Sequence, residues 1–175
     1  SRLDDTIAWY ENNGASDPSW TASDIATSAD YATSVFAADM DNDGDMDIVS
    51  ASWDDDTIAW YENTATFSFD PTWSASDIDT NADGAFSVFA ADMDNDGDMD
   101  IVSASNDDQT IAWYENDGNA NPSWDAENIA TDVLGAQSVF VADIDNDGHM
   151  DIVSASETDD TIAWYENDGA SDPSW

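Results

Sequence analysis

Asp39-Met40-Asp41-Asn42-Asp43-Gly44-Asp45-Met46-Asp47 is the stretch from which the rest of the chain is read. It recurs unchanged at residues 92–100, and a third time as Asp143-Ile144-Asp145-Asn146-Asp147-Gly148-His149-Met150-Asp151. Five acids in nine residues, set around a glycine, repel one another too strongly to fold without a neutralising cation. The spacing Asp-x-Asp-x-Asp-Gly opens like an EF-hand calcium loop, in which alternating oxygens converge on the ion and glycine permits the sharp turn. The Glu at position 12 is missing, and an Asp at position 9 closes the motif instead. The reading is a compact calcium loop, three times over; the bland alternative is a set of solvated acidic turns.

By analogy with those alternating ligands, Asp39, Asp41 and Asp43 are expected to give side-chain oxygens. Asp45 is expected to give its backbone carbonyl, and Asp47 to close the site with a carboxylate. The same roles fall to Asp92, Asp94, Asp96, Asp98 and Asp100, and to Asp143, Asp145, Asp147, His149 and Asp151. His149 is harmless at the seventh position if that position ligates through its carbonyl, which is the expectation. Each ion is expected to clamp its repeat structurally rather than to catalyse.

Counting outward from the loops reveals the architecture. The heptapeptide Thr-Ile-Ala-Trp-Tyr-Glu-Asn begins at Thr6, Thr57, Thr110 and Thr161, at periods of 51, 53 and 51 residues. Asp39 to Trp60, Asp92 to Trp113 and Asp143 to Trp164 are all 21 residues, and Trp20 to Asp39, Trp73 to Asp92 and Trp124 to Asp143 are all 19. Length varies only between the paired Trp positions, so residues 63–73 are expected to be a tolerant surface loop. Each repeat carries four β-like runs, in the second repeat unit 34–38, 47–52, 57–62 and 73–78. They are short, β-branched or small, and punctuated by Gly, Asn, Asp and Pro, without sustained helical periodicity.

Four antiparallel strands in about 50 residues is the size of a β-propeller blade. The predicted fold is therefore all-β, a propeller segment of about three blades. Residues 1–33 read as a partial blade with strands three and four, 34–86 and 87–137 as whole blades, and 138–175 as a blade lacking its last strand. Residues 159–175 repeat residues 4–20 with one change, Asn13 to Asp168. Closed propellers typically need four to eight blades. The ring is thus expected to be completed by further repeats or by copies of the chain, recruited through the open strands.

Composition narrows the partners. The chain has 175 residues, with 41 Asp plus Glu against one Lys or Arg and one His, a formal charge of −40. Three divalent ions would offset only six of those charges, so most of the acid faces water. Nucleic acid is excluded as a partner because counterion release needs cationic side chains, and anionic membrane surfaces are disfavoured for the same reason. Hydrophobic residues make up 41%, with nine Trp, enough to bury a core despite the acidity. No cysteine is present, and neither a membrane-spanning run nor a leader peptide is read. Calcium loops and the near-absence of Lys point to an extracellular setting.

The run Ser34-Val35-Phe36-Ala37-Ala38-Asp39, followed by the Asp-rich loop and Asp47-Ile48-Val49, resembles the FG-GAP (VCBS) repeat of integrin α-subunit propellers and many secreted bacterial proteins. The resemblance covers nearly the whole chain in three copies. It implies a propeller with one calcium loop per blade, between first and second strands, and extracellular adhesion or recognition. The Phe-Gly of the family name is here Phe36-Ala37, Phe89-Ala90 and Phe140-Val141. Because the family includes lectins and adhesins, membership leaves the ligand open.

Trp9, Trp60, Trp113 and Trp164 recur at one strand position, and Trp20, Trp73, Trp124 and Trp175 at another, the pattern of blade-to-blade packing. Trp53 occurs once, in the turn between second and third strands, where other repeats have Asn106 and Glu157. It reads either as a sugar-stacking or protein-contact residue or as a partly packed surface aromatic. The insertion at residues 64–69, with Phe67 and Phe69, is a second candidate on the calcium face. His149 stands alone, and neither a cysteine nor a nucleophile elbow is present, so no enzyme is expected. The function expected is structural, adhesive or scaffolding. A carbohydrate-binding lectin of the same fold is the alternative, and a propeller domain of a polysaccharide-degrading enzyme a more distant one.

Overall fold

The computed structural model describes residues 4–65, 71–170 and 173–175. Thirteen strands follow one another among them: β1 (Ile7–Asn12), β2 (Trp20–Ala26), β3 (Ala32–Ala38), β4 (Asp47–Ser52), β5 (Thr57–Asn63), β6 (Trp73–Asp79), β7 (Ala85–Ala91), β8 (Asp100–Ser105), β9 (Thr110–Asn116), β10 (Trp124–Ala130), β11 (Ala136–Ala142), β12 (Asp151–Ser156) and β13 (Thr161–Tyr165). They pair as antiparallel meanders in four sheets, β1-β2, β3-β4-β5-β6, β7-β8-β9-β10 and β11-β12-β13. No described residue lies in a helix, so no helix is long and apolar enough to cross a membrane. Beyond Ala65, the insertion with Phe67 and Phe69 falls outside the described residues.

Register follows composition. In the third sheet Ile101 faces Tyr114, Val102 faces Trp113 and Ser103 faces Ala112, and every residue of β8 is buried. A strand buried on both faces has room for small and β-branched side chains, which is what Asp-Ile-Val-Ser-Ala-Ser offers. The outer strands β6 and β10 alternate little and are mostly exposed, and their Ser, Asp, Glu and Asn residues carry the surface.

The core lies between sheets rather than within one layer. One cluster sets Val49, Ile58 and Trp60 of the second sheet against Val88, Ala90 and Ile101 of the third. The equivalent cluster joins Val102, Ile111 and Trp113 to Val139, Val141 and Ile152 of the fourth. A third packs Ile7 and Ile25 against Ala59, Tyr61 and Trp73. Near the inner strands, Phe36 meets Phe89 at 4.6 Å between ring centroids, and Phe89 meets Phe140 at 5.2 Å. Serine hydroxyls stitch the same strands together, Ser34 Oγ accepting from Val88 N and Ser87 Oγ from Val139 N, both at 3.3 Å. Four-stranded meanders packed face to face through successive inner strands are the blades of a β-propeller, here an arc that does not close on itself. None of the three cores joins the first sheet to the last.

The recurring Trp positions divide by neighbourhood. Trp60 and Trp113 are each 2% exposed inside blade-to-blade cores, as expected of packing residues, whereas Trp164 at the matching position is 48% exposed on the open face of the last sheet. Ile162 beside it is 73% exposed, against 0% for Ile58 and Ile111. Trp175 is half-buried and packs edge-on to Trp113 at 6.2 Å.

Candidate metal centre

The antiparallel meander sends the β3–β4, β7–β8 and β11–β12 connections to one end of the blades, and these connections are the acidic loops. Each winds through the left-handed region twice, at Asn42 (φ 59°) and Gly44 (φ 96°), and likewise at Asn95 and Gly97 and at Asn146 and Gly148. Asn and Gly are the residues that adopt that conformation at least strain. The coil folds three carboxylates inward. Oxygens of Asp39, Asp41 and Asp43 lie within 4.8 Å of one another, as do those of Asp92, Asp94 and Asp96 and of Asp143, Asp145 and Asp147.

Backbone amides hold the carboxylates in place. Asp39 accepts from Gly44 N at 3.0 Å, Asp41 from Asp43 N at 3.2 Å and Asp43 from Asp45 N at 2.9 Å. The pattern repeats in the other loops, with Asp92 and Asp143 each accepting from two amides, Asp96 N with Gly97 N and Asp147 N with Gly148 N, at 3.1 Å. The other oxygen of Asp39, Oδ1, is buried and has no hydrogen-bond partner. Such an atom, on one of three converging carboxylates, suits a hard cation that takes oxygen ligands. Burial and repulsion from Asp43 and Asp39 push Asp41 above its usual range, and the same forces, with Asp92 and Asp96, act on Asp94.

The ninth-position carboxylates sit at the base of the loops rather than within the triads. Asp47, Asp100 and Asp151 are each 1% exposed. Asp47 accepts from Met40 N at 3.1 Å and Asn63 N at 2.8 Å, tying the loop's second residue to the end of β5. Asp100 does the same with Met93 N and Asn116 N, both at 2.9 Å, and Asp151 with Ile144 N and Asn167 N. Each oxygen keeps a second lone pair after these bonds. Burial pushes the Asp100 carboxyl up to about 7, against the restraining amides of Asn116 and Met93, and raises Asp47 as well.

Seventh-position side chains turn away from their own triads toward the preceding blade. Asp98 accepts from Asn42 Nδ2 at 2.5 Å, and Asn95 Nδ2 lies 3.0 Å from His149 Nδ1. His149 also lies against Gly169, and Asp98 against Gly118, so both seventh positions pack on the loop that follows the heptapeptide.

One set of residues escaped the sequence reading. Asn116, 1% exposed, donates from Nδ2 to Met99 O of its own acidic loop at 3.1 Å and to Met40 O of the preceding one at 2.8 Å. Asn167 bridges Met150 O and Met93 O in the same way, at 3.1 and 2.8 Å. The signal was present as the last letter of each Thr-Ile-Ala-Trp-Tyr-Glu-Asn, where a polar residue ends a buried strand. Trp53, by contrast, sits in the β4–β5 turn at the opposite end of the blade, half-buried, with Tyr31 and Phe86 as ring neighbours at 6.5 and 5.4 Å.

Fold and loops together define a propeller of tandem repeats with one acidic loop per blade. The chain belongs to the FG-GAP-like repeat family, whose pattern matches residues 1–50, 39–103 and 93–154. No curated protein matches the sequence. Among solved structures, the chain is similar to a lectin of Agrocybe aegerita, described as specifically recognising non-reducing terminal N-acetylglucosamine, with a TM-score of 0.59 at 19% identity. The likeness covers 98% of this chain but only 46% of the lectin chain, so this sequence spans about half of that protein.

Proposed function

We propose that the chain is a non-catalytic, calcium-clamped propeller segment with a structural or adhesive role outside the cell. The observation that carries the reading is the convergence of Asp39, Asp41 and Asp43 on one point, with the buried Asp39 Oδ1 left without a donor, and the repetition of that coil in two more loops. Calcium fits because every converging donor is an oxygen and the loops supply carboxylates without nitrogen or sulfur. In each loop the first, third and fifth Asp hold the ion, the seventh residue offers its carbonyl, and the ninth Asp adds an oxygen while keeping its amide bonds. Bound calcium neutralises the triad and locks the β3–β4, β7–β8 and β11–β12 turns.

One feature supports an interaction role. The open faces at both ends of the arc carry the same side chains that elsewhere interlock blade to blade, so further repeats or copies of the chain fit them. A carbohydrate-binding role draws support from the lectin likeness, yet at 19% identity that likeness speaks for the fold alone. The structural reading therefore stands first.

Calorimetric titration of chelator-treated protein tests it. Calcium is expected to bind with a stoichiometry near three per chain and to raise the melting temperature. At 100-fold excess over its dissociation constant, one ion adds about 2.7 kcal/mol. Melting curves that coincide with and without chelator would refute the reading.

A further inference from the structure

Two junctions bring the inner strands of successive sheets together, and their faces opposite the acidic loops differ. Where the second and third sheets meet, Tyr31, Trp53 and Phe86 line a cleft of about 400 Å³ together with Asp54. The matching positions at the next junction are Gly84, Asn106 and Gln137. That junction packs its core without any of the three rings, so the fold does not need them. Tyr31 also sits in the left-handed region at φ 58°, where Gly84 and Gly135 stand at 68° and 74°. A tyrosine there is strained, and strain held in place by the surroundings marks functional positions. At Gly84 a Cβ would come within 3.0 Å of Asp107 N, so the first junction has accommodated a side chain that its neighbour excludes.

The rings form a corner rather than a platform. Tyr31 and Trp53 are inclined by 67° and Trp53 and Phe86 by 78°. A sugar ring stacks best on one flat face, whereas a compact tetrahedral cation is attracted to several ring faces at once. The surroundings have the matching sign. Asp54 lines the cleft, and Asp30 and Asp5 stand beside it, close enough that Asp30 is held above its usual range, first by desolvation and then by repulsion from Asp5 and Asp54. Among the described residues there is no Lys or Arg, and the one His stands in an acidic loop at the other end of the blades.

We propose that the Tyr31–Trp53–Phe86 cleft binds an alkylammonium group, of the kind carried by choline-type headgroups or methylated amines, with the rings contacting the methyl groups and Asp54 facing the charge. The site is independent of the calcium reading, lying at the other end of the blades.

Calorimetry on the full chain at saturating calcium tests this, with choline as probe, 3,3-dimethyl-1-butanol as its uncharged isostere and N-acetylglucosamine as a sugar. Choline is expected to bind saturably, one per chain, about tenfold or more tighter than the isostere. Trp53→Asn and Phe86→Gln install the residues of the neighbouring junction, which are compatible with folding there, and each is expected to weaken choline about fivefold. Tyr31→Gly is expected to weaken it too while leaving the melting temperature equal or higher, because it relieves the left-handed tyrosine. Equal binding of choline and its isostere, choline binding unaltered by Trp53→Asn, no saturable choline binding, or saturation by N-acetylglucosamine alone would each overturn the proposal.

Discussion

Asn116 offers the sharpest test of how the blades hold together. Its side chain makes three bonds, donating to Met40 O at 2.8 Å and Met99 O at 3.1 Å and accepting from Gly118 N at 3.0 Å. Asn116→Ala removes all three and deprives two carbonyls of acidic loops in adjacent blades of their donor. A buried polar group left unsatisfied costs about 1–3 kcal/mol. Allowing for water reaching one of the two carbonyls, the substitution should destabilise by about 2–4 kcal/mol. For a chain of this size each kcal/mol moves the midpoint by about 2–4 °C, so a fall of roughly 4–16 °C is expected.

Asn63 is the built-in control. It holds the same place in the heptapeptide, but among the described residues its Nδ2 reaches only Met46 O, at 3.5 Å, and no acidic loop precedes its own. Asn63→Ala should cost less than about 1 kcal/mol. Urea unfolding of both variants, with and without calcium, gives the comparison. If the two lose stability equally, or if Asn116→Ala unfolds within 1 kcal/mol of the parent, the bridging role of the buried asparagines is wrong.

Two further outcomes follow from the same structure. In chelator-treated protein Asp100 titrates near 7 against an ordinary 3.8, because burial opposes its charge. A carboxyl raised on folding favours the folded state at low pH, so this contribution is complete below about 4 and is lost as pH climbs toward 7. Three units at about 1.4 kcal/mol each put the loss at roughly 4 kcal/mol; Asp100→Asn should flatten the dependence in urea titrations at pH 4–8, and an unaltered slope would contradict it. At the open end, Ile162 and Trp164 present an apolar face that their equivalents bury, so sedimentation should find assemblies heavier than 18.9 kDa that Ile162→Asp returns to single chains. A chain that sediments alone at every concentration would rule out association through that face.

How much of this could be read beforehand depended on whether a residue's task is local. The strands were legible because alternation of small, β-branched and aromatic residues between Gly and Asp punctuation is a local signal, and the four runs expected in the second unit fall within one residue or two of β3, β4, β5 and β6. The triads were legible for the same reason: Asp39, Asp41 and Asp43 converge through a coil that Asn42 and Gly44 set locally. Asn116 was not legible, since its meaning lies in a carbonyl 76 residues away in another blade. The amide bonds of the ninth Asp were not legible either, since they tie the loop's second residue to the end of the third strand of the blade, a contact between segments that spacing alone does not display. The corner at Trp53 was half visible. A single unmatched Trp stood out, but Tyr31 and Phe86 became its partners only when the turns of neighbouring blades were brought together.

The two ends of the blades thus follow different logic. At the acidic end, repetition is the point: each loop is latched to the next by the Asn42–Asp98 and Asn95–His149 contacts and by the buried Asn116 and Asn167. An ion bound in one loop as proposed would also fix a partner of its neighbour, and ordering already complete would not have to be repeated by the next ion. At the other end, departure from repetition carries the information, because a substitution that the next junction lacks is not required for packing. In a chain whose repeats are so alike, the loops explain why the arc holds its shape, and the one aromatic junction is where a ligand would find something that the other blades do not offer.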